Sequence, residues 1–275
     1  MGDKPLREFP SQLPAQGSYN PARFSRLSAI EDRHFWFRAR NKVITAVVNQ
    51  ITTELSPGYR VLEVGCGTGN VLRFLEQLCP SGLVVGLDLF AQGLQYARQR
   101  VSCPPVQGEI HNLPFGAKFD LIALLDVLEH LHDDDRVLRD LYAMLAPTGA
   151  LLLTVPAHPS LWSYHDEVAY HRRRYELITL ENKLTDLGYR VEYITQMMMT
   201  IFPLAWLIRR LQKLIGKRLL NNGPHAPDIA SNELRIIPII NEFLTLSLNQ
   251  EIHVIARRRQ LPIGTSLLVV ARRKG

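Results

Sequence analysis

The chain has 275 residues and a formal net charge of +6, which suits one large α/β domain with additions. Its three cysteines, Cys66, Cys79 and Cys103, have neither an even count nor metal-ligand spacing, which argues against a disulfide framework and favours a cytoplasmic compartment. The first residues, MGDKPLREFP, lack an apolar signal core, so the sequence does not indicate secretion.

Two segments precede the first predicted strand. Residues 1–22 contain four prolines and few apolar residues, which predicts a flexible N-terminal arm. Residues 31–44, EDRHFWFRARNKVI, are aromatic and basic and are predicted to be helical. Trp36 and Arg40 suit the wall of a pocket, and a stripe that faces the core remains an equal alternative for the aromatic residues.

A glycine-rich turn follows the first apolar run. Residues 61–69, VLEVGCGTG, predict a strand that enters a tight turn and opens a helix. Gly65, Gly67 and Gly69 let the backbone approach a ligand without a Cβ in the way. Asp88 ends the next apolar run 19 positions after Gly69, a spacing that suits the hydroxyls of a ribose. Since a helix start also favours a negative charge, the pattern indicates a nucleoside with an anionic group near the turn.

The remaining pattern alternates between apolar runs and helical segments. Strands without strict alternation are predicted near 61–64, 83–87, 119–125 and 150–155, and two more at 190–196 and 266–271. Helices are predicted between them at 70–78, 91–101 and 134–145. This order predicts a parallel sheet whose ligands bind beyond the carboxyl ends of its strands.

The string EVGCGTG at 63–69 resembles the first motif of class I S-adenosylmethionine (SAM)-dependent methyltransferases. A dinucleotide fingerprint would need a small residue at position 70, where this chain has Asn70, so a nicotinamide oxidoreductase is disfavoured. Three further matches follow in the order of the family, at 107–115, 119–131 and 145–157. The resemblance covers roughly residues 30–195. It implies a Rossmann-like α/β fold with a seven-stranded, mostly parallel sheet, helices on both faces and an apolar-basic insertion before the last strand.

The same resemblance implies SAM as the cofactor. In the family the glycine loop packs against the amino-acid end of SAM, the acid after the second strand holds the ribose, and residues after the third strand meet the adenine. Many relatives carry Asp where this chain has Glu109. The candidate cofactor-binding residues are Glu63, Gly65, Cys66, Gly67, Gly69, Asp88, Leu89, Glu109, Ile110 and Asp126.

Residues 158–175, HPSLWSYHDEVAYHRRRY, begin at the predicted ligand edge of the sheet. Their histidines, aromatic residues and arginines suit a substrate loop, although the arginines could equally form a solvated basic face. Similar W-x-x-H-D and H-x-R-R-Y strings border the acceptor site in resembling methyltransferases. The candidate acceptor contacts are therefore Trp36, Arg40, Trp162, Asp166 and Tyr175.

A hydroxyl acceptor would profit from a general base, whereas a carboxylate acceptor would need none. Because histidine titrates near neutral pH, the candidate catalytic residues are His130, His165 and His171. The string DVLEH also resembles the E-x-x-E-H string of ubiquinone-pathway O-methyltransferases, where the family binds a divalent cation. Asp126, Glu129 and His130 would then be metal ligands. DVLEHL is common in methyltransferases not known for metal, so no divalent metal is expected and this set remains the alternative.

Residues 197–265 would join the last two strands, which in the class I family form an antiparallel pair that meets at the cofactor edge. The uncharged segment 197–208 precedes a basic one, and twelve Lys or Arg against four Asp or Glu give residues 197–275 a net charge of +8. Twelve uncharged residues are too few for a bilayer span, which takes ~20. They fit an interfacial helix that a second helix near 232–252 could join, and a plain helical lid is the alternative.

These observations predict a flexible arm at 1–22, a SAM-binding core with an N-terminal cap helix at 23–196, an insertion at 197–265, and a last strand with a basic tail at 266–275. The expected activity is methyl transfer from SAM to a small-molecule or lipid-linked acceptor, with the protein cytoplasmic and peripheral on an anionic membrane surface. A non-catalytic SAM-binding partner subunit and a methyltransferase of soluble metabolites are the alternatives. Nucleic acid is not expected, because residues 257–259, RRR, lack interleaved aromatic residues. The sequence carries no signal for an oligomeric state.

Overall fold

The computed structural model describes residues 23–215 and 236–274, so the predicted arm at 1–22 lies outside the described residues. Within that part of the chain, seven strands form one sheet in the order β3-β2-β1-β4-β5-β7-β6. The strands are β1 Arg60–Val64, β2 Leu83–Asp88, β3 Pro105–Gln107, β4 Phe119–Leu125, β5 Leu145–Pro156, β6 Tyr189–Met197 and β7 Ser266–Arg273. The α-helices are α1 Arg23–Ile30, α2 Phe35–Thr52, α3 Leu72–Leu78, α4 Ala91–Ala97, α5 Asp134–Met144, α6 Tyr164–Val168, α7 Leu177–Asp186, α8 Phe202–Ile215 and α9 Pro238–Ile255.

Strands β1 to β5 are parallel, and β7 is antiparallel to both of its neighbours. Ser266, at the start of β7, pairs with Pro156 at the end of β5 and with Met197 at the end of β6. The segment between β6 and β7 therefore leaves and re-enters the sheet at the edge where the parallel strands end. The prediction of a seven-stranded, mostly parallel class I sheet with an antiparallel last pair is confirmed.

The core lies on both faces of the sheet, which explains why the strands are apolar without alternation. Val61 and Leu62 are adjacent and point to opposite faces, where they join two separate clusters of buried side chains. Helix α2 covers the first face with Ile44, Val47 and Ile51, which recur at helical spacing. Each fully buried Leu or Ile contributes about 1.5–3 kcal/mol, so these stripes hold the helices against the sheet.

Some predicted helix limits are corrected by local capping. The helix predicted at 31–44 begins at Phe35, because the side chain of His34 caps it by accepting from the N–H of Trp36, and it continues to Thr52. The second insertion helix begins at Pro238 rather than near 232, with proline in the first turn. The helix predicted at 91–101 ends at Ala97. None of the helices in the described ranges combines the length and the apolar character needed to cross a membrane.

Candidate functional site

A cavity of about 430 Å³ opens where β1, β2 and β4 end. Its walls come from the turn after β1, the carboxyl ends of the strands, the segment after β3 and the first two helices. Volumes of about 300–1,000 Å³ are typical of small-molecule sites. This is the edge at which a doubly wound sheet binds its ligands, so the cavity is the candidate active site.

The glycine-rich turn forms one wall of the cavity. Gly65, Gly67 and Gly69 have φ of 77°, 52° and 76°, in the left-handed region that favours glycine. Gly65 and Gly67 line the cavity, whereas Gly69 does not. A Cβ at Gly69 would lie 2.9 Å from the Cα of Ala97, so this glycine permits the close approach of α4. Gly69 thus has a packing role, and its predicted contact with the cofactor stays a prediction.

Asp88 lies at the end of β2 and lines the cavity. Its Oδ2 accepts from the N–H of Gly67 at 2.7 Å, and its Oδ1 accepts from the N–H of Phe90 at 2.8 Å. Burial raises the pKa of Asp88 to about 6, although these backbone donors act in the opposite direction. The carboxylate is thus ionised at neutral pH, is placed for ribose hydroxyls, and also fixes the glycine turn.

Glu63 is buried beneath the same turn and lines the cavity. Among the described residues its Oε2 has no hydrogen-bond partner. Burial raises the pKa of Glu63 well above its usual value, and the Arg40 charge lowers it only in part. A buried acceptor without a donor costs free energy, and the ammonium group of an amino acid would supply that donor. The site therefore fits the methionine end of SAM.

The opposite wall is apolar and aromatic. Glu109 and Ile110, the residues predicted to meet the adenine, line it together with Leu89. Phe24 and Phe90 add two rings whose centroids are 5.9 Å apart. An apolar wall of this kind suits a purine ring. The part played by Phe24 was not predicted, because it depends on how α1 packs across the turn.

Arg40 and Asp126 form a buried ion pair inside the cavity. Arg40 Nη1 donates to Asp126 Oδ2 at 2.8 Å, and both residues line the cavity. Asp126 has φ of 55°, a left-handed conformation that is uncommon for a residue with a Cβ. The guanidinium of Arg40 lies 4.9 Å from the ring centroid of Trp36. Trp36 therefore supports Arg40 and does not itself line the cavity.

His130 is the one of the three predicted catalytic histidines that lines the cavity. Its Nδ1 lies 3.3 Å from the carbonyl oxygen of Tyr170, which can only accept, so Nδ1 carries the proton and Nε2 has the lone pair. Burial, together with the neighbouring His171, lowers the pKa of His130 to about 4. The imidazole is therefore neutral at physiological pH.

His171 and Asp166 form a supporting network behind His130. The rings of His130 and His171 are 4.9 Å apart, and His171 Nδ1 donates to Asp166 Oδ1 at 2.9 Å. Arg174 Nε donates to the same oxygen at 2.8 Å. Burial alone would raise the pKa of Asp166, but the hydrogen bond from His171 and the charge of Arg174 outweigh it and lower the pKa to about 2.

The alternative metal set is only partly brought together. Among the described residues, Glu129, His130 and His171 offer ligand atoms within 4.8 Å of one another. Asp126 is not in this group, because its carboxylate pairs with Arg40. Glu129 is fully buried, and neither of its carboxylate oxygens has a hydrogen-bond partner in the described chain, although His171 Nε2 lies 3.8 Å from Oε1. Burial raises the pKa of Glu129 well above the usual value.

The other predicted acceptor contacts lie outside the cavity. Tyr175 packs in the core, and its hydroxyl donates to Asp134 Oδ2 at 3.0 Å, so it anchors the 158–175 loop. Trp162 and His165 are partly buried and do not line the cavity. Arg172 is the residue of this loop that lines it, and the basic triplet was the signal that could have identified it.

Comparison with known proteins identifies a matched segment that contains the glycine turn, Asp88, Asp126 and His130. Residues 62–153 match the model of a family described as a methyltransferase domain. A probable S-adenosylmethionine-dependent methyltransferase of Mycolicibacterium smegmatis is 26% identical over 196 residues, which cover 70% of this chain and 71% of that protein. The malonyl-[acyl-carrier protein] O-methyltransferase of Enterobacter lignolyticus is 31% identical over 185 residues, which cover 64% of this chain and 72% of that protein.

The fold has solved counterparts as well. One is a chain from the complex between the Haloferax volcanii Trm112 methyltransferase activator and the putative methyltransferase. It aligns with a TM-score of 0.56 at 18% identity and covers 91% of this chain and 94% of that chain.

Proposed function

Because the chain belongs to the class I SAM-dependent methyltransferases, we propose that it methylates a lipid-linked acceptor at an anionic membrane surface. SAM is the cofactor, and it supplies a methyl group on a sulfonium, already activated for in-line attack by an acceptor atom. The protein has then mainly to align two reactants and exclude water, which is worth ~7–11 kcal/mol.

The geometry supports a division of the cavity between SAM and acceptor. The turn at Gly65 and Gly67 would receive the methionine end, Glu63 would accept from its ammonium, and Asp88 would accept from the ribose. Leu89 and Ile110 would enclose the adenine. The acceptor side is then formed by Arg40, Asp126 and His130, which line the same cavity. The neutral imidazole of His130 would take the proton of a hydroxyl acceptor.

An exposed apolar surface beside the cavity carries the membrane half of the proposal. On α9, Ile239, Phe243 and Leu246 are 85%, 66% and 63% exposed. On α8, Leu204 and Leu207 are 53% and 49% exposed. Large apolar side chains exposed in such number on two helices are uncommon on monomeric proteins and indicate an interaction site. A lid that simply closed a soluble site would bury these side chains, so their exposure favours a lipid surface.

Helix α9 packs against α2, which contributes Arg40 to the wall of the cavity. The amide of Phe35, at the start of α2, donates to Asn241 Oδ1 on α9 at 2.7 Å. Arg38 pairs with Glu242 in the next turn. Two residues further along α2, Arg40 lines the cavity. Helix α8 follows β6 at the edge where the parallel strands end, and it carries the basic residues Arg209 and Arg210 itself. Apolar side chains with arginines beside them suit insertion between anionic headgroups.

Vesicle sedimentation tests the membrane half. The protein should sediment with phosphatidylglycerol vesicles more than with phosphatidylcholine vesicles. The double variant Ile239→Asp, Phe243→Asp should lose this binding while keeping SAM affinity. Leu83→Asp is the matched control, since Leu83 is 54% exposed at the opposite edge of the sheet. Equal vesicle binding by the double variant and the control contradicts the proposal.

Methyl transfer from labelled SAM tests the acceptor class. Label should enter the organic phase of a cell extract and should do so faster when anionic vesicles are added. Label that enters only water-soluble metabolites would favour the alternative of a soluble acceptor. SAM binding without transfer of label to either lipids or water-soluble metabolites would favour the non-catalytic partner subunit.

A further inference from the structure

We infer that a second cavity, where α8 packs against the 3₁₀ turn Pro159–Leu161, binds the phosphate group of an amphiphile. The inference rests on the proposed lipid-directed function and specifies the chemical group that the enzyme holds. The cavity has a volume of about 260 Å³ and is lined by Ser160, Leu161, Trp206, Arg209 and Arg210. None of these residues lines the SAM cavity.

Arg209 is partly buried and lacks the carboxylate partner that other enclosed arginines have, whereas Arg210 is exposed at the rim of the cavity. Arg40 pairs with Asp126, Arg100 with Glu31 and Arg174 with Asp166. In the described ranges, no carboxylate lies within salt-bridge distance of Arg209 or Arg210. A guanidinium that is removed from water without a counter-ion costs free energy. An anion in the cavity would offset that cost.

Both guanidinium groups are held in place by other contacts. Arg209 Nη1 donates to the carbonyl oxygen of Leu161, and the Cζ of Arg210 lies 5.2 Å from the ring centroid of Trp206. Burial and the charge of Arg174 lower the pKa of Arg209 to about 10, although the charge of Asp166, which Arg174 already pairs with, acts in the opposite direction. The cavity therefore has a positive potential and donors fixed in advance. Guanidinium groups match the oxygens of a phosphate in a bidentate geometry.

The surroundings of the cavity indicate an anion that carries a hydrocarbon chain. Trp206, Leu207 and Ile208 are 43%, 49% and 42% exposed on the same helix as the arginines. A free phosphate would leave these side chains in water, whereas an amphiphile would cover them with its chain. The charged head and the apolar body of one ligand would thus contact adjacent parts of α8.

The cavity is also linked to the acceptor side of the active site. The charge of Arg174 acts on Arg209, and Arg174 pairs with Asp166. Asp166 holds His171, whose ring contacts that of His130 in the SAM cavity. A phosphate bound at Arg209 would therefore lie next to the network of side chains that supports His130.

Calorimetric titration with decyl phosphate tests the inference. Arg209→Gln, Arg210→Gln should weaken binding of decyl phosphate by about tenfold or more, because charge-assisted hydrogen bonds are lost. The matched control is Arg98→Gln, Arg139→Gln, which removes the same charge from two exposed arginines. The control should bind decyl phosphate like the wild type, and both variants should keep SAM affinity.

Further titrations separate the sources of the phosphate. If the protein binds inorganic phosphate more weakly than decyl phosphate, the ligand is an amphiphile. If it binds both equally, the ligand is the free anion. Loss of binding to phosphatidylglycerol vesicles in the cavity variant identifies a bilayer headgroup. Equal decyl phosphate affinity in the cavity variant and its control overturns the inference. If lipid methylation and vesicle binding persist in that case, the proposed function stands without the second cavity.

Discussion

The carboxylate of Asp88 accepts a hydrogen bond from the backbone N–H of Gly67 at 2.7 Å, which joins the end of β2 to the turn after β1. One side chain therefore shapes the glycine turn and faces the cavity that the turn encloses. Loss of this carboxylate removes the ribose acceptor and the support of the turn together.

Asp88→Ala should raise the dissociation constant for SAM by about 10- to 100-fold, since hydrogen bonds to charged groups contribute roughly 1.5–3 kcal/mol. Asp120→Ala is the matched control, because Asp120 Oδ2 also accepts a backbone N–H, from Arg60 at 2.8 Å, at the opposite end of β1. The control should lose some stability and keep SAM affinity. Calorimetric titration with SAM measures both variants, and equal affinities would show that Asp88 does not hold the ribose.

SAM affinity should fall as pH is lowered through about 6, the value to which burial raises the pKa of Asp88. Ribose hydroxyls donate to the ionised carboxylate, so binding favours the deprotonated form. In the protein without SAM, the contribution of Asp88 to the free energy of unfolding changes with pH in the opposite direction. Because the folded pKa exceeds the ~3.9 of an unfolded Asp, Asp88 contributes stability that is fully present at low pH and is lost as pH rises through the folded value. Calorimetric titrations with SAM on either side of pH 6 should show a pH-dependent affinity in the wild type, and Asp88→Asn should reduce that dependence. An unchanged pH dependence in the variant would assign the effect to another group.

Gly69→Ala should destabilise the fold by about 2–5 kcal/mol, because the left-handed backbone costs ~1–2 kcal/mol and overpacking ~1–3 kcal/mol. The added Cβ would meet the backbone of Ala97 at 2.9 Å, which cannot move aside like a flexible side chain. Gly58→Ala isolates the backbone term, since Gly58 has φ of 89° and nothing lies within 4 Å of the added Cβ. Urea unfolding compares the two variants, and equal losses would exclude the contact with α4.

The strands, the glycine turn and Asp88 could be predicted because each depends on residues close in sequence. Apolar runs without alternation define buried parallel strands, and the turn needs three glycines within five positions. The packing role of Gly69 could not be predicted in this way, because its reason is Ala97 on another helix. The pairing of Arg40 with Asp126 likewise joins residues 86 positions apart.

The loop at residues 158–175 could also be predicted only in part from the sequence. Composition alone singled out the polar and aromatic residues of 158–175 as a group. Their separation into a buried anchor, Tyr175, a supporting carboxylate, Asp166, and a cavity residue, Arg172, depends on how the loop folds back onto β5 and α5. No periodicity in the sequence distinguishes these three environments.

His130→Gln should lower kcat by roughly 10²- to 10⁴-fold for a hydroxyl acceptor and leave SAM affinity unchanged. The reason is that His130 lines the cavity with a neutral imidazole whose Nδ1 is held by Tyr170, so Nε2 is the atom able to accept a proton. The matched control is His253→Gln, an exposed histidine on α9, which should keep both kcat and SAM affinity. Since burial lowers the pKa of His130 to about 4, wild-type kcat should not require deprotonation of this group near neutral pH. Single-turnover transfer from labelled SAM separates the chemical step from binding, and an unchanged rate in His130→Gln would show that the acceptor reacts without this base.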